Sequence, residues 1–550
     1  MHAPSPDGSQ VPEIGAPDPL HEELDGSGTW TRVNIGEAIP GVPTPLTWTW
    51  CGPAWDESLR RAWVRMGVFP RRITRTPSSA GDRFVTIGYG RPVLSVDLMR
   101  EIGDRMPGNS GDAVEQGLFG TTRPEATNRP TRRRYAAIAA LLPGSLLRSR
   151  RALRRLERPC REWWQSSLSA GGLGDEAAAR AVLVASRERF VELTALQCIV
   201  TIGAQACYEQ LTKLCASAGL PGSERALTTT AEGTEELRMA TELSDVARGT
   251  RTMESFLAAH GHHGPVQGEL SVPSWRMDPT PVVRIVESLK DGERLSRADT
   301  TGAGRSQARR VAHDALIGAL GPVGRVRARI LIRLADDFMI LRELGRSLML
   351  MATDVARAAA WALGDHLAGR GALANQADVM YLRLEELLAD RPVDRSVIEE
   401  RRSRRAHYER HDVPDIFTGA PPLLDSVSGD GGDGCGPVTG IGASPGVVEG
   451  RVRVVTDVDS CWVEEGEILV CETTNPSWAS LFLLAAGVVI DVGGVLSHGA
   501  IVAREMGIPC VINTVDGTRR LHTGDLVRVD GSTGSVEVIE PATASRSGRE

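Results

Sequence analysis

Lysine is nearly missing from this chain. Only Lys213 and Lys290 occur among 63 basic residues, and arginine supplies the rest. A P-loop needs a lysine behind its glycine-rich turn, and other nucleotide folds commonly set one on the phosphates. Lys213 lies in LTKLC within an apolar helical run and Lys290 in SLKDG at a helix end, so neither follows such a loop. These 550 residues are therefore not expected to hold a standard ATP site of their own. Cysteine is sparse as well: nine residues with no C-x-x-C pair, which argues for reduced thiols and against a disulfide framework or a cysteine zinc site. Long apolar runs are also lacking, since LFLLAAGVVIDVGG falls short of the roughly 18 residues of a membrane span. The first residues carry neither the basic start nor the apolar stretch of a signal peptide. Net charge is −7 with a pI near 6.0, which gives no reason to expect nucleic acid. A cytoplasmic protein with no membrane or nucleic-acid partner is the expectation.

What is present suits packed domains. Hydrophobic residues make up 41% and charged residues 24%, and the length fits two or three domains. Residues 1–28 are rich in Pro, Gly and acid and read as a disordered tail. From 29 to 411 the pattern is mostly helical. One run extends from Asp175 to Leu220, and another follows Gly321-Pro322 to Gly369 without internal proline. Residues 412–440 are Gly-, Pro-, Ser- and Asp-rich and read as a flexible linker. Residues 441–541 hold short β-branched strands around one helical pattern, SHGAIVAREMG, and 542–550 form a second tail. The fold class expected is α+β multidomain: a large, mostly helical substrate-binding domain followed by a small β/β/α domain.

The segment GVVIDVGGVLSHGAIVAREMGIPCVINT (487–514) carries the chemistry. A buried strand runs into Gly493-Gly494, then Ser497-His498, then a helix closing at Gly507 and Pro509. Two glycines let the backbone turn tightly, and His498 falls at the first helical turn, where free N–H groups and the positive end of the helix dipole collect. An imidazole there can attack a phosphoryl group, since its neutral form is well populated near pH 7. GGVLSHGAIVAREMGIPCVI closely resembles the phosphohistidine motif of the PEP-utilising enzymes. GASPGVVEGRVRVV (442–455), CETTNPSWASLF (471–482) and the closing LHTGDLVRVDGSTGSVEV resemble the rest of their swivelling domain. The resemblance implies that His498 is the phosphoryl carrier, with Gly494, Ser497, Gly499 and Arg504 steadying the phosphoryl group. Leu496 stands where many members have threonine.

The helical region resembles the substrate-binding part of rifampin phosphotransferase and PEP-synthase-like enzymes, through NIGEAIPGVPTPLTW (34–48), FLAAHGHHGPVQGELSVPSWRMDP (256–279) and QADVMYLRLEELL (376–388). The family more often has arginine where His263 stands. Members of this type normally carry an ATP-grasp domain, so the resemblance implies a split enzyme. A separate ATP-grasp protein would use ATP and Mg2+ to phosphorylate His498, and this chain would bind neither stably nor hold a metal.

Transfer to a hydroxyl needs a base and a positive charge on the moving group. His262 and Glu269 are the catalytic candidates beside His498, with His260 ranked below them and His522 read as a solvated turn residue. Glu37, Trp48 and His263 are the substrate-binding candidates. Five tryptophans (Trp30, Trp48, Trp50, Trp55, Trp63) fall in one N-terminal stretch and could wall a bulky apolar substrate, though core packing suits most of them. The arginine run 132–164 reads as a solvated helix face. The expected function is a phosphotransferase component acting on a bulky hydroxylated small molecule in specialised metabolism or antibiotic modification. A phosphorylation-driven ligase or dehydratase and a silent phosphocarrier are the alternatives.

Overall fold

The computed structural model describes residues 18–24, 26–33, 35–39, 41–119, 122–123, 125–169, 172–228, 235–290, 294–425, 437–455, 463–472, 474, 482, 484–494 and 497–542. The helical domain is built on α1 (Pro45–Arg65), α2 (Tyr135–Ser167), α3 (Glu176–Ser217), α4 (Glu235–Ala247), α5 (Met253–His260), α6 (Thr280–Lys290), α7 (Arg294–Ala319) and α8 (Pro322–Gly369). Asp175 caps α3 by accepting from the Ala178 N–H at 2.8 Å. Helix α8 starts on Pro322 at its first position and, with no internal proline, runs 48 residues, about 70 Å. Both long helices lie where the apolar periodicity put them. They pair because their facing side chains are small. Ala352, Ala356, Ala359 and Ala360 are fully buried, and a Cβ on Gly203 would stand 2.6 Å from the Phe338 ring. Helix α3 is long and apolar enough to cross a bilayer, but 61% of its most apolar window is buried inside the protein, as suits a core helix.

A small sheet closes one side of this domain: β1 (Thr29–Thr31), β2 (Val85–Gly88), β3 (Arg91–Ser95) and β4 (Ile416–Thr418), in the order β2-β3-β1-β4. Two expected boundaries move because of it. Within the expected linker, Ile416–Thr418 pairs with β1, with Phe417 opposite Trp30, and Leu424–Asp425 pairs with His411–Asp412, so the first domain reaches residue 425. Within the expected N-terminal tail, residues 18–24 are packed: Leu20 and Leu24 are buried, and Asp18 accepts from Tyr408 Oη at 2.6 Å. These segments are short, so their burial comes from long-range partners rather than local pattern. Residues 1–17, 426–436 and 543–550 lie outside the described residues.

The C-terminal domain is one sheet of eight described strands: β5 (Val438–Thr439), β6 (Ile441–Ser444), β7 (Val447–Val455), β8 (Ile468–Cys471), β9 (Gly487–Ile490), β10 (Cys510–Ile512), β11 (Leu526–Asp530) and β12 (Ser535–Glu540). Their order is β5-β12-β11-β7-β8-β9-β10-β6. The centre, β7-β8-β9-β10, is parallel, with Ile468 opposite both Val452 and Gly487. Strands buried on both faces read as continuous apolar runs, as ILVC and GVVI do. Helix α9 (His498–Met506) covers one face of this sheet.

Candidate active site

The C-terminal ends of the parallel strands form the histidine end of the small domain. After β9, Asp491 anchors the loop, accepting from Thr514 Oγ1 at 2.6 Å and from the Thr518 N–H at 2.9 Å. Ser497 then caps α9, its Oγ accepting from the Ala500 N–H, and His498 is the first helical residue. Gly507, at φ +65, ends the helix in the left-handed conformation. The free N–H groups of the first turn therefore collect around residue 498, as the sequence requires of an anion-holding site. The His498 side chain and Leu496 lie outside the described residues.

The supporting residues divide. Gly499 is demanded by packing, because a Cβ there would meet Thr474 Oγ1 at 2.6 Å and Ile490 Cδ1 at 2.7 Å. Gly493 and Gly494 do not adopt left-handed backbone, but the Gly494 carbonyl accepts from the Ser497 N–H at 2.8 Å, which closes a tight turn just before His498. Gly494 has open space where a Cβ would stand, which leaves room for a ligand to approach its backbone. Arg504, expected at the phosphoryl group, sits in the last turn of α9, six residues and about 9 Å along the axis from His498. Its Nε donates to the Ala443 carbonyl at 3.2 Å, tying the helix to β6. His522 is mostly exposed in its turn, 3.7 Å from Asp525.

The second cluster lies in the helical domain, where the HGHHG loop meets α8. His262 and His263 are buried side by side, with ring centroids 4.3 Å apart. His262 Nε2 is 3.1 Å from Ser347 Oγ, and its ring meets Trp164 edge-on. Gln267 Nε2 donates to His263 Nδ1 at 3.0 Å, while Gln267 Oε1 accepts from Arg346 Nη2 at 3.3 Å. That order fixes the amide and leaves the His263 proton on Nε2. Burial pushes both rings well below the usual 6.5, and neighbouring histidines and arginines push the same way, so both are neutral. His260 lies apart on Glu242, 2.9 Å away. At the position where the family more often has arginine, the positive charge is brought near His263 by Arg346 from α8.

Below this cluster Asp354 is fully buried. It accepts from Trp164 Nε1 at 2.8 Å and pairs with Arg276 at 3.2 Å and Arg357 at 3.3 Å. Burial alone would raise its carboxyl, but the two guanidinium groups outweigh that and hold it below the ordinary range. Arg357 also donates to the Gln267 and Glu269 carbonyls, both at 3.1 Å, which fixes the HGHHG-to-Glu269 segment on α8. Sequence reading passed over Arg346, Ser347, Asp354 and Arg357. The signal was there: Glu343, Ser347, Asp354 and Arg357 fall on one face of α8 at helical spacing, polar residues on an otherwise apolar core helix.

Two candidates change role. The Glu269 carboxylate accepts from the Thr44 N–H (3.0 Å), Thr44 Oγ1 (2.8 Å), Thr47 Oγ1 (2.7 Å) and the Ser271 N–H (2.9 Å). Its lone pairs are engaged in holding the start of α1 against the histidine loop, so it is a positioning residue and not a free base. Trp48 is 3% exposed, and its ring packs so closely on Gly52 that a Cβ there would lie 2.7 Å away. Trp30, Trp50 and Trp63 are buried too, and Trp55 meets Phe190 edge-on, so this stretch is core and not a substrate wall. Glu37 sits in the short helix Ile35–Ala38, with its side chain outside the described residues.

The two sites share one buried surface. Val502 and Ala503 of α9, Met239 and Leu243 of α4, Phe256 of α5, and Trp275 belong to a continuous apolar cluster, and Trp275 lies 5.6 Å from the His263 ring. The histidine-bearing helix is thus docked on the elements that carry the HGHHG loop.

Residues 463–534 match the PEP-utilising enzyme mobile domain, and residues 191–343 match the rifampicin phosphotransferase fourth domain. Two segments of the chain are thus similar to domains found in the PEP-utilising and rifampicin phosphotransferase families. It is 30% identical over 319 residues to a rifampicin phosphotransferase of Streptomyces sviceus, covering 56% of this chain and 37% of that protein. A rifampicin phosphotransferase of Bacillus subtilis is 28% identical over 310 residues, covering 54% and 36%. A prodigiosin synthesizing transferase, PigC, of Serratia marcescens is 29% identical over 305 residues, covering 51% and 32%. The chain thus spans about a third of the length of these curated relatives.

Proposed function

We propose that this chain is the transfer component of a phosphotransferase, in which His498 carries a phosphoryl group to a bulky hydroxylated small molecule. The observation that carries the reading is the placement of residue 498 at the capped start of α9, at the strand ends of a matched PEP-utilising mobile domain. In the first step an N–P bond forms on His498 as a P–O bond of the donor breaks. In the second, the acceptor oxygen bonds to phosphorus as the N–P bond breaks, and the acceptor proton passes to a base. His262, kept neutral by burial, is the proposed proton acceptor, with Arg346 as the positive charge on the moving group. Glu37 and His263 are assigned to the substrate.

The donor is proposed to be ATP with Mg2+, held by an ATP-grasp protein acting in trans. Lys213 lies exposed in the last turns of α3 and Lys290 exposed at the end of α6, and neither follows a phosphate-cradling loop. Among the described residues no group of three His, Cys, Asp or Glu could hold a metal ion.

The match to a prodigiosin synthesizing transferase favours a second reading, in which the same transfer activates an acceptor for condensation. The test mixes this chain, an ATP-grasp protein, Mg-ATP and hydroxylated metabolites, and follows AMP release and product mass. A product heavier by one phosphate supports the first reading. A condensed or dehydrated product with phosphate released supports the second, and no turnover with an unlabelled His498 overturns both.

A further inference from the structure

The first turns of α8 have two apolar faces, and only one is covered. Ala328, Ile332 and Ala335 point into the core and are buried. Val323, Val326 and Ile330, at i, i+3 and i+7, are 84%, 56% and 54% exposed. At about 100° per residue, Val326 stands about 200° from Ala328, and Ile330 the same from Ile332, so the exposed stripe lies on the far side of the helix. Val311 of the preceding helix α7 is also exposed. A helix face meant only for solvent would carry polar side chains at these positions. A contiguous exposed apolar face rimmed by charge marks an interaction surface.

The rim has one sign. From 322 to 335 the sequence PVGRVRARILIRLA contains four arginines and no acid. Arg325 is used locally, its Nε donating to the Ile317 and Leu320 carbonyls at the α7–α8 turn. Arg327, Arg329 and Arg333 are exposed and flank the stripe on both sides; Arg327 Nη2 donates to Gln210 Oε1 at 3.3 Å, and none of the three has a carboxylate partner among the described residues. A second copy of the same face would oppose like charges. The stripe also lacks the Trp, Phe or Leu with which interfacial helices enter lipid. We propose that Val323, Val326 and Ile330, rimmed by Arg327, Arg329 and Arg333, dock an acidic amphipathic helix of a partner protein. Burying these β-branched residues supplies the affinity, and the arginines set orientation and association rate.

The test uses the whole chain and two labelled synthetic peptides of identical composition: an acidic amphipathic helix with one leucine stripe, and its scrambled form. Fluorescence anisotropy should show binding of the first alone, weakened by salt and by about tenfold or more in Val326→Asp, Ile330→Asp and the double variant Arg329→Glu/Arg333→Glu. All these positions are exposed, so unchanged thermal melts serve as the folding control. Failure of the amphipathic peptide to bind, equal binding of the two peptides, or binding unaffected by all three variants overturns the proposal. So does self-association abolished by the same variants, which assigns the face to a second copy. Tighter binding to phosphatidylserine vesicles than to the peptide also overturns it, assigning the face to a membrane.

Discussion

Thr474 and Gly499 meet across the base of the His498 helix, with Thr474 Oγ1 2.6 Å from the point where a Cβ on Gly499 would stand. The close approach presses the first turn of α9 onto the end of the parallel sheet. Gly499→Ala should therefore force the helix start off the strand ends, costing about 1–3 kcal/mol by overpacking and slowing phosphorylation of His498. Gly494→Ala, with open space around it, should leave stability within about 0.5 kcal/mol. Thermal melts of the two variants, with labelling rates, check the contrast. Equal stability loss in both would contradict it.

Acid should loosen the helical domain through the histidine loop. His262 and His263 are held well below 6.5 by burial, so the unfolded chain binds more protons than the folded one once pH falls below 6.5. Their contribution is fully present above that value and is lost on acidification, with a slope approaching about 1.4 kcal/mol per pH unit for each ring. The melting temperature should drop from pH 6.5 to 5, and a His262→Asn/His263→Asn variant should show a flatter profile. An unchanged slope in that variant would count against the burial argument.

Asp354→Asn should be among the most damaging single substitutions in the helical domain. It leaves the Arg357 guanidinium buried without its counter-charge, and breaking such a pair costs about 3–5 kcal/mol. Chemical denaturation measures it. Removing the Trp164 partner by Trp164→Phe deletes one hydrogen bond and should cost less than Asp354→Asn.

The parts of this molecule legible in the sequence are those set by local pattern. The Asp175 cap, Pro322 at the start of α8 and the Ser497–His498 helix start appear in the structure where the residues place them. The errors arise where distant partners decide. Glu269 looked like a free acid because its four donors come mostly from Thr44 and Thr47, more than 200 residues away in sequence. Trp48 looked like a substrate wall until the fold wrapped a core around it. Arg504 shared a motif with His498 but points to Ala443 from the other end of the helix. Arg346 went unseen because its role depends on α8 lying against Gln267.

Arg346→Ala should separate the two half-reactions. Arg346 sits by Gln267 and His263 in the helical domain, so loading of His498 should proceed at the wild-type rate while delivery to the acceptor falls by about a hundredfold or more. Single-turnover transfer from phosphorylated chain measures it. Arg346→Lys should restore part of the rate, since the charge returns without the planar fork. Loss of His498 loading in Arg346→Ala would contradict the assignment.

The central claim is that His498 is covalently phosphorylated from a donor site on another protein. The direct measurement is intact mass and peptide mapping of the purified chain after incubation with Mg-ATP, with and without a free-standing ATP-grasp protein. The account predicts one added phosphoryl group, acid-labile and base-stable, located on His498, dependent on the second protein and absent in His498→Ala. A chain that stays unmodified under these conditions, or that consumes ATP unaided, would contradict it.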